Sequence, residues 1–118
     1  MDFSKAKIVE GPKPGDKQKA VITKVEDTTW RKYLTANGRS ASIGSFENPD
    51  ATQVLIGVKT EDGREFDELY TAPEDITKIS AISNLGKYHE LYKKFPAVGD
   101  KVEVMADTNR FWKLFVGV

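Results

Sequence analysis

The twenty residues from Thr52 to Thr71 constrain the fold more than any other part of the chain. In TQVLIGVKT (Thr52–Thr60), Val54, Ile56 and Val58 alternate with other residues, the period of a strand with one buried face. EFDELYT (Glu65–Thr71) is a second strand-like run, and Asp62-Gly63 lies between the two. An Asp-Gly pair between alternating runs is the strongest short-range hairpin signal, because both turn positions tolerate positive φ. The chain is therefore expected to contain an antiparallel hairpin.

The flanking sequence extends this pattern in both directions. Gly11-Pro12-Lys13-Pro14-Gly15-Asp16 closes a polar leader (residues 1–16) with turn formers, and AVITKVEDTT (Ala20–Thr29) follows as a β-branched strand. From Trp30 to Asp50 no period persists, and Asn37-Gly38, Gly44 and Asn48-Pro49 interrupt the text. A long loop or irregular hairpin is expected there (residues 30–51). Beyond the hairpin, Ala72-Pro73-Glu74-Asp75 breaks the sheet, and Ile76–Ile82 carries no assignment. Ser83-Asn84 can cap a helix whose stripe is Leu85, Tyr88, Leu91, Tyr92 and Phe95, with Lys93 and Lys94 in its last turn and Pro96 as its stop. Val98-Gly99-Asp100-Lys101 precedes a fourth strand marked by Val102 and Val104, and Asp107–Arg110 turns the chain into a fifth, Phe111–Val118.

The 118 residues match one domain with one core. The chain has no cysteine, so thiolate metal sites, disulfides and a cysteine nucleophile are excluded, and a reducing compartment fits. The N-terminal residues lack a signal peptide's apolar core, and no run approaches the roughly 20 apolar residues of a membrane helix. A soluble, cytoplasmic protein is the expectation.

Eighteen basic residues balance eighteen acidic ones, which argues against the strongly basic chains that coat duplex DNA. Their distribution is uneven. Residues 1–50 carry nine basic and seven acidic groups, residues 51–77 two and seven, and residues 78–118 seven and four, giving +2, −5 and +3.

Strand, long loop, strand, tight hairpin, strand, helix, strand, hairpin, strand is the element order of the five-stranded Greek-key OB barrel, with its helix between strands three and four. The phrases GDKQKAVITKVED, TQVLIGVKTEDGREF, ISNLGKYHELY and PAVGDKVEV resemble those of small OB-fold single-stranded nucleic-acid-binding domains, such as archaeal replication protein A and related phage or viral proteins. The resemblance covers nearly the whole chain. It implies an all-β fold, and a single strand lying across strands two and three between the loop joining strands one and two and the loop joining strands four and five.

Such binding needs flat rings for bases and cations for phosphates. Trp30, Arg31, Lys32 and Tyr33 are consecutive in the first loop, Arg39 follows Asn37-Gly38, and Phe46 lies near the loop's far end. Trp30 and Phe46 either meet bases or plug one end of the barrel. Arg110, Phe111 and Lys113 supply the second loop. Strand alternation leaves two arrangements open for strand five: Trp112, Leu114 and Val116 inward with Phe111, Lys113 and Phe115 outward, or the reverse. Phe66 and Tyr70 share a face of strand three with Glu68, as core or as stacking platforms, and core suits at least one of them. The acids of this segment oppose a phosphate backbone, an effect that Lys24, Lys59 and Arg64 can offset.

Tyr88 and Tyr92 are expected to pack the helix on the barrel, and His89 to be an ordinary surface histidine. The sequence has no phosphate-cradling Gly-rich loop, paired-His metal spacing or nucleophile motif, so neither an enzyme nor a cofactor is expected. Two readings follow. One is a binder of single-stranded DNA, or of RNA, working with replication or repair proteins and gaining affinity by self-assembly. The other is a protein-interaction or assembly module built on the same barrel.

Overall fold

A computed structural model describes residues 1–38 and 48–117; Arg39 and Phe46 lie outside them. Five strands and two helices follow in the order β1 (Lys17–Thr29), α1 (Trp30–Ala36), β2 (Thr52–Thr60), β3 (Glu65–Thr71), α2 (Asn84–Tyr92), β4 (Lys101–Ala106) and β5 (Trp112–Leu114). All paired strands are antiparallel, in the order β3-β2-β1-β4-β5. The sheet curls into a nearly closed, OB-like all-β barrel, with α2 between β3 and β4.

The long first strand makes the curl possible. β1 pairs with β2 along most of its length and with β4 only from Lys17 to Val21, so it must bend as it leaves one partner. Its register slips between Ile22 and Lys24, leaving Thr23 as the extra residue of a bulge. A bulge raises local twist and bends the strand. Gly57 lies opposite, where an added Cβ would approach Lys24 Cβ to 2.9 Å and Thr23 Oγ1 to 3.0 Å.

The expected hairpin forms around Gly63, whose φ of +89° needs no steric compensation in glycine. The interior is filled by rows that alternate along the strands. Ile22, Ile56, Val58, Val102, Val104 and Leu114 are buried together. Trp112 and Val116 pack against this cluster, which resolves strand five: Trp112, Leu114 and Val116 face inward.

α2 closes one end of the barrel. Ser83 Oγ accepts the Gly86 N–H at 3.1 Å, and the fully buried Tyr88 donates its hydroxyl to Asp100 Oδ2 at 2.6 Å. Tyr92 donates to the Phe115 carbonyl at 2.7 Å and accepts from the Glu103 N–H at 3.2 Å. The two tyrosine rings pack 4.5 Å apart, tying the helix to β4 and the chain after β5. His89 is exposed and stacks on Phe95 at 4.6 Å.

Four boundaries differ from expectation. β1 begins at Lys17 rather than Ala20, because β4 offers Met105 as a partner for Lys17. α1 occupies the start of the expected long loop. Thr29 Oγ1 caps it by accepting the Lys32 N–H at 3.1 Å, and Asn37 and Gly38 end it, too soon for a period to show. α2 stops at Tyr92, since Lys93 takes the left-handed conformation at φ 62°; Lys93 and Lys94 are therefore not its last turn, and Leu91 and Phe95 are exposed. β5 spans three residues rather than eight. Phe111 belongs to the preceding turn, where Asp107 Oδ1 accepts its N–H at 2.9 Å.

Among the described residues, no helix is long and apolar enough to cross a membrane.

Candidate nucleic-acid interface

The first group of candidate residues rides on α1. Leu34 is 4% exposed and Leu55 of β2 5% exposed, yet neither belongs to the inner core. Leu55 alternates with Ile56 and so lies on the outer face of the sheet. Tyr33 of α1 reaches that face: its hydroxyl donates to Asp67 Oδ2 of β3 at 3.5 Å. Trp30 is half-buried and meets Tyr33 edge-on at 6.4 Å. The two aromatic residues of the Trp30–Tyr33 run thus stand beside the outer face of β2 and β3.

Arg31 is held firmly. Its N–H donates to the Pro49 carbonyl at 2.9 Å, and its guanidinium grips Asp50 through two bonds of 2.7 and 3.2 Å. This hydrogen-bonded pairing lowers the Asp50 carboxyl below its ordinary range and raises Arg31. Lys32 is exposed on the same helix.

The outer row of the sheet carries both signs. Lys59 lies opposite Glu65, and Lys24 and Asp67 both lie opposite Gly57, one on each side. Arg64 sits in the hairpin turn with Asp62 at 3.4 Å.

The second group surrounds the turn between β4 and β5. Asp107 organises it by accepting the N–H groups of Asn109 and Phe111 at 2.8 and 2.9 Å, which holds its carboxyl low. Arg110 adopts φ 66°, Phe111 is 69% exposed, and Lys113 pairs with Asp107 at 3.6 Å. Farther along, Lys17 Nζ sits 3.9 Å from the centre of the Phe115 ring.

The third group lies where β3 and β5 face each other. Tyr70 is 2% exposed and belongs to the core; Phe66 is half-buried against it. Their rings face the interior, away from the outer sheet surface, because Phe66 and Tyr70 lie opposite Val58 and Val54. The inward row also carries Glu68, opposite Ile56. The sequence shows Glu68 on one face with Phe66 and Tyr70, and that alternation is the signal that places an acid in the interior. Trp112, the other residue of consequence in this region, is placed not by alternation, which leaves both faces of β5 open, but by its packing against the core.

Set against family models, curated proteins and solved structures, the chain finds no match. The function therefore rests on the geometry of the chain itself. Among the described residues, no group of three or more His, Asp or Glu side chains is placed to hold a metal ion.

Proposed function

We propose that this protein binds single-stranded DNA, in preference to RNA, and acts on it in the cytoplasm during replication or repair. The observation that supports this reading is α1: one short helix carries Trp30, Arg31, Lys32 and Tyr33 to the outer face of β2 and β3, seating Tyr33 at Asp67. Stacking on such rings is worth about 1–3 kcal/mol per base and tolerates any sequence. Lys32, Lys59 and Arg110 are exposed cations suited to phosphates. Arg31, Arg64 and Lys113 already pair with carboxylates, so each exchanges one anion for another when a phosphate arrives. Affinity for one barrel is accordingly modest, and several copies on one strand raise it through effective concentration.

Those three ion pairs, together with the exposed Phe111, favour a second reading in which the barrel docks a protein. The two separate by salt dependence, because displaced counterions make strand binding weaken steeply with salt. Titration of the intrinsic Trp fluorescence with an oligo-dT and an oligo-U of about 20 nucleotides, at low and moderate salt, tests the proposal. Saturable, salt-sensitive quenching that is stronger for oligo-dT is expected. A flat titration, matched by unchanged polarization of labelled strands, overturns it.

A further inference from the structure

The barrel has a seam. No ladder joins β3 to β5, the two edges of the sheet, and a cavity of about 550 Å³ opens between them. Phe66, Tyr70, Trp112, Leu114 and Val116 give it aromatic and aliphatic walls, and Glu68 supplies a carboxyl. Walls of this kind with a few convergent polar groups are typical of small-ligand sites.

Two polar atoms on these residues are buried donors. The Tyr70 hydroxyl and the Trp112 indole N–H are both buried and make no hydrogen bond among the described residues. Burial, then the Glu68 carboxyl beside its hydroxyl, keeps Tyr70 protonated, so Tyr70 has an acceptor within reach whereas the Trp112 N–H has none among the described residues. A buried donor left unpaired costs free energy, so the Trp112 N–H beside this cavity points to a missing acceptor. Glu68 adds the opposite need. A carboxylate offers about four acceptor positions, and Leu114 N–H occupies one at 2.8 Å.

A ligand that satisfies this set is flat, to fit between aromatic walls, and carries an acceptor for Trp112 beside N–H donors for Glu68. Among the bases, guanine places two kinds of N–H side by side on one edge, next to its O6 acceptor, with N7 following. Thymine and uracil offer one ring N–H, while adenine and cytosine offer one amino group without a neighbouring ring N–H. We propose that the β3–β5 seam is a pocket for a single guanine base, read by Glu68, Trp112 and Tyr70. The base comes either from a free nucleotide or from a strand; in the second case the pocket rests on the single-strand reading and adds a base preference to it. The acidity of β3 then has a role. Glu68 repels phosphate but accepts from a base that has left the stack, the edge through which extruded bases are read.

Calorimetric titration with dGMP, dAMP, dCMP and dTMP isolates the base, since the phosphate is common to all four. Binding of dGMP at least tenfold tighter than the others is expected. Trp112→Phe keeps the ring and removes the donor; Glu68→Gln keeps an acceptor for Leu114 and removes the carboxylate. Each is expected to weaken dGMP about tenfold, the value of a good polar contact to a base, while circular dichroism shows both variants still folded. Four equal affinities, or no binding of any mononucleotide, overturn the pocket, as does dGMP binding unchanged in both variants. A dT strand with one central dG, compared with all-dT, distinguishes the sources. Strands that bind alike while dGMP shows no preference leave the single-strand reading standing and remove the pocket. Selective dGMP binding with no strand binding keeps the pocket and removes that reading.

Discussion

Glu68 Oε1 accepts the backbone N–H of Leu114 at 2.8 Å, so a side chain spans the place where a fifth ladder would close the barrel. Leu114 is one of only three residues in β5, and its side chain fills the core. The bond therefore aligns a short edge strand that pairs on one side alone.

Glu68→Ala leaves the Leu114 N–H without its acceptor. The expected cost is about 1–3 kcal/mol, measured by urea unfolding near pH 4, with faster exchange of the Leu114 amide. Burial raises the Glu68 carboxyl above its ordinary 4.5, while the Leu114 N–H and Lys113 pull partly against it. The fold thus holds this proton more tightly than the unfolded chain does. Its contribution is full below the unfolded value and declines as pH rises through the folded one. Glu68→Gln, which does not ionise, is expected to gain on the natural chain as pH climbs from 4 to 7; a pH-independent difference contradicts this.

Asp100 responds in the opposite sense. It is the hub of the α2 attachment, accepting from Tyr88 at 2.6 Å, the Ala97 N–H at 3.1 Å and Lys94 at 2.7 Å. Burial pushes its carboxyl up, but these donors outweigh burial and hold it below 3.8. The unfolded chain binds this proton more readily, so the contribution is present above the unfolded value and is lost as pH falls through the folded one. Tyr88→Phe is expected to cost about 1.5–3 kcal/mol at neutral pH, the range for a hydrogen bond to a charged group. The same variant should flatten the acid limb of a Tm-against-pH curve.

Among the described glycines, Gly86 has the least room for a side chain. A Cβ there would lie 2.0 Å from the Ser80 carbonyl oxygen and 2.8 Å from Ala81 Cα, both backbone atoms that cannot rotate away. Gly86→Ala is expected to destabilise by about 3 kcal/mol through overpacking. Gly11→Ala, with nothing within 4 Å and no positive φ, is the control and should stay within about 0.5 kcal/mol. Equal melting curves for the two variants would refute this packing.

For strand binding, Lys32 and Asp50 make an informative pair. Lys32→Ala removes an exposed cation and is expected to shrink the slope of log K against log salt by about 0.7, the value per phosphate on single strands. Asp50→Asn releases the Arg31 guanidinium and is expected to tighten binding of oligo-dT several-fold. Opposite signs from two substitutions near one helix would localise the strand to α1; no change in either places it elsewhere.

Much of the barrel is visible in the sequence because its causes are local. Alternation of Val54, Ile56 and Val58, the Asp62-Gly63 turn and the Ser83 cap each act within a few residues, and strand order follows from where they fall. The same locality allowed Trp30–Tyr33 and Phe111 to be singled out as rings and cations in connecting segments. α1 was not visible, because its seven residues complete fewer than two turns and owe their order to docking of Leu34 rather than to propensity. Nor could sequence show which cations are already paired, since Arg31 and Asp50 stand nineteen positions apart.

By itself, the sequence determined the set of strands, the tight hairpin and the sharing of one face of β3 by Glu68, Phe66 and Tyr70, all consequences of a two-residue period or a local turn. Only the tertiary structure decided which side of β5 faces inward and that Glu68 reaches Leu114, forty-six residues away. The reason is curvature. How nearly β3 meets β5 depends on the bend at Thr23 and the twist summed over every strand between them, a distance no single segment encodes.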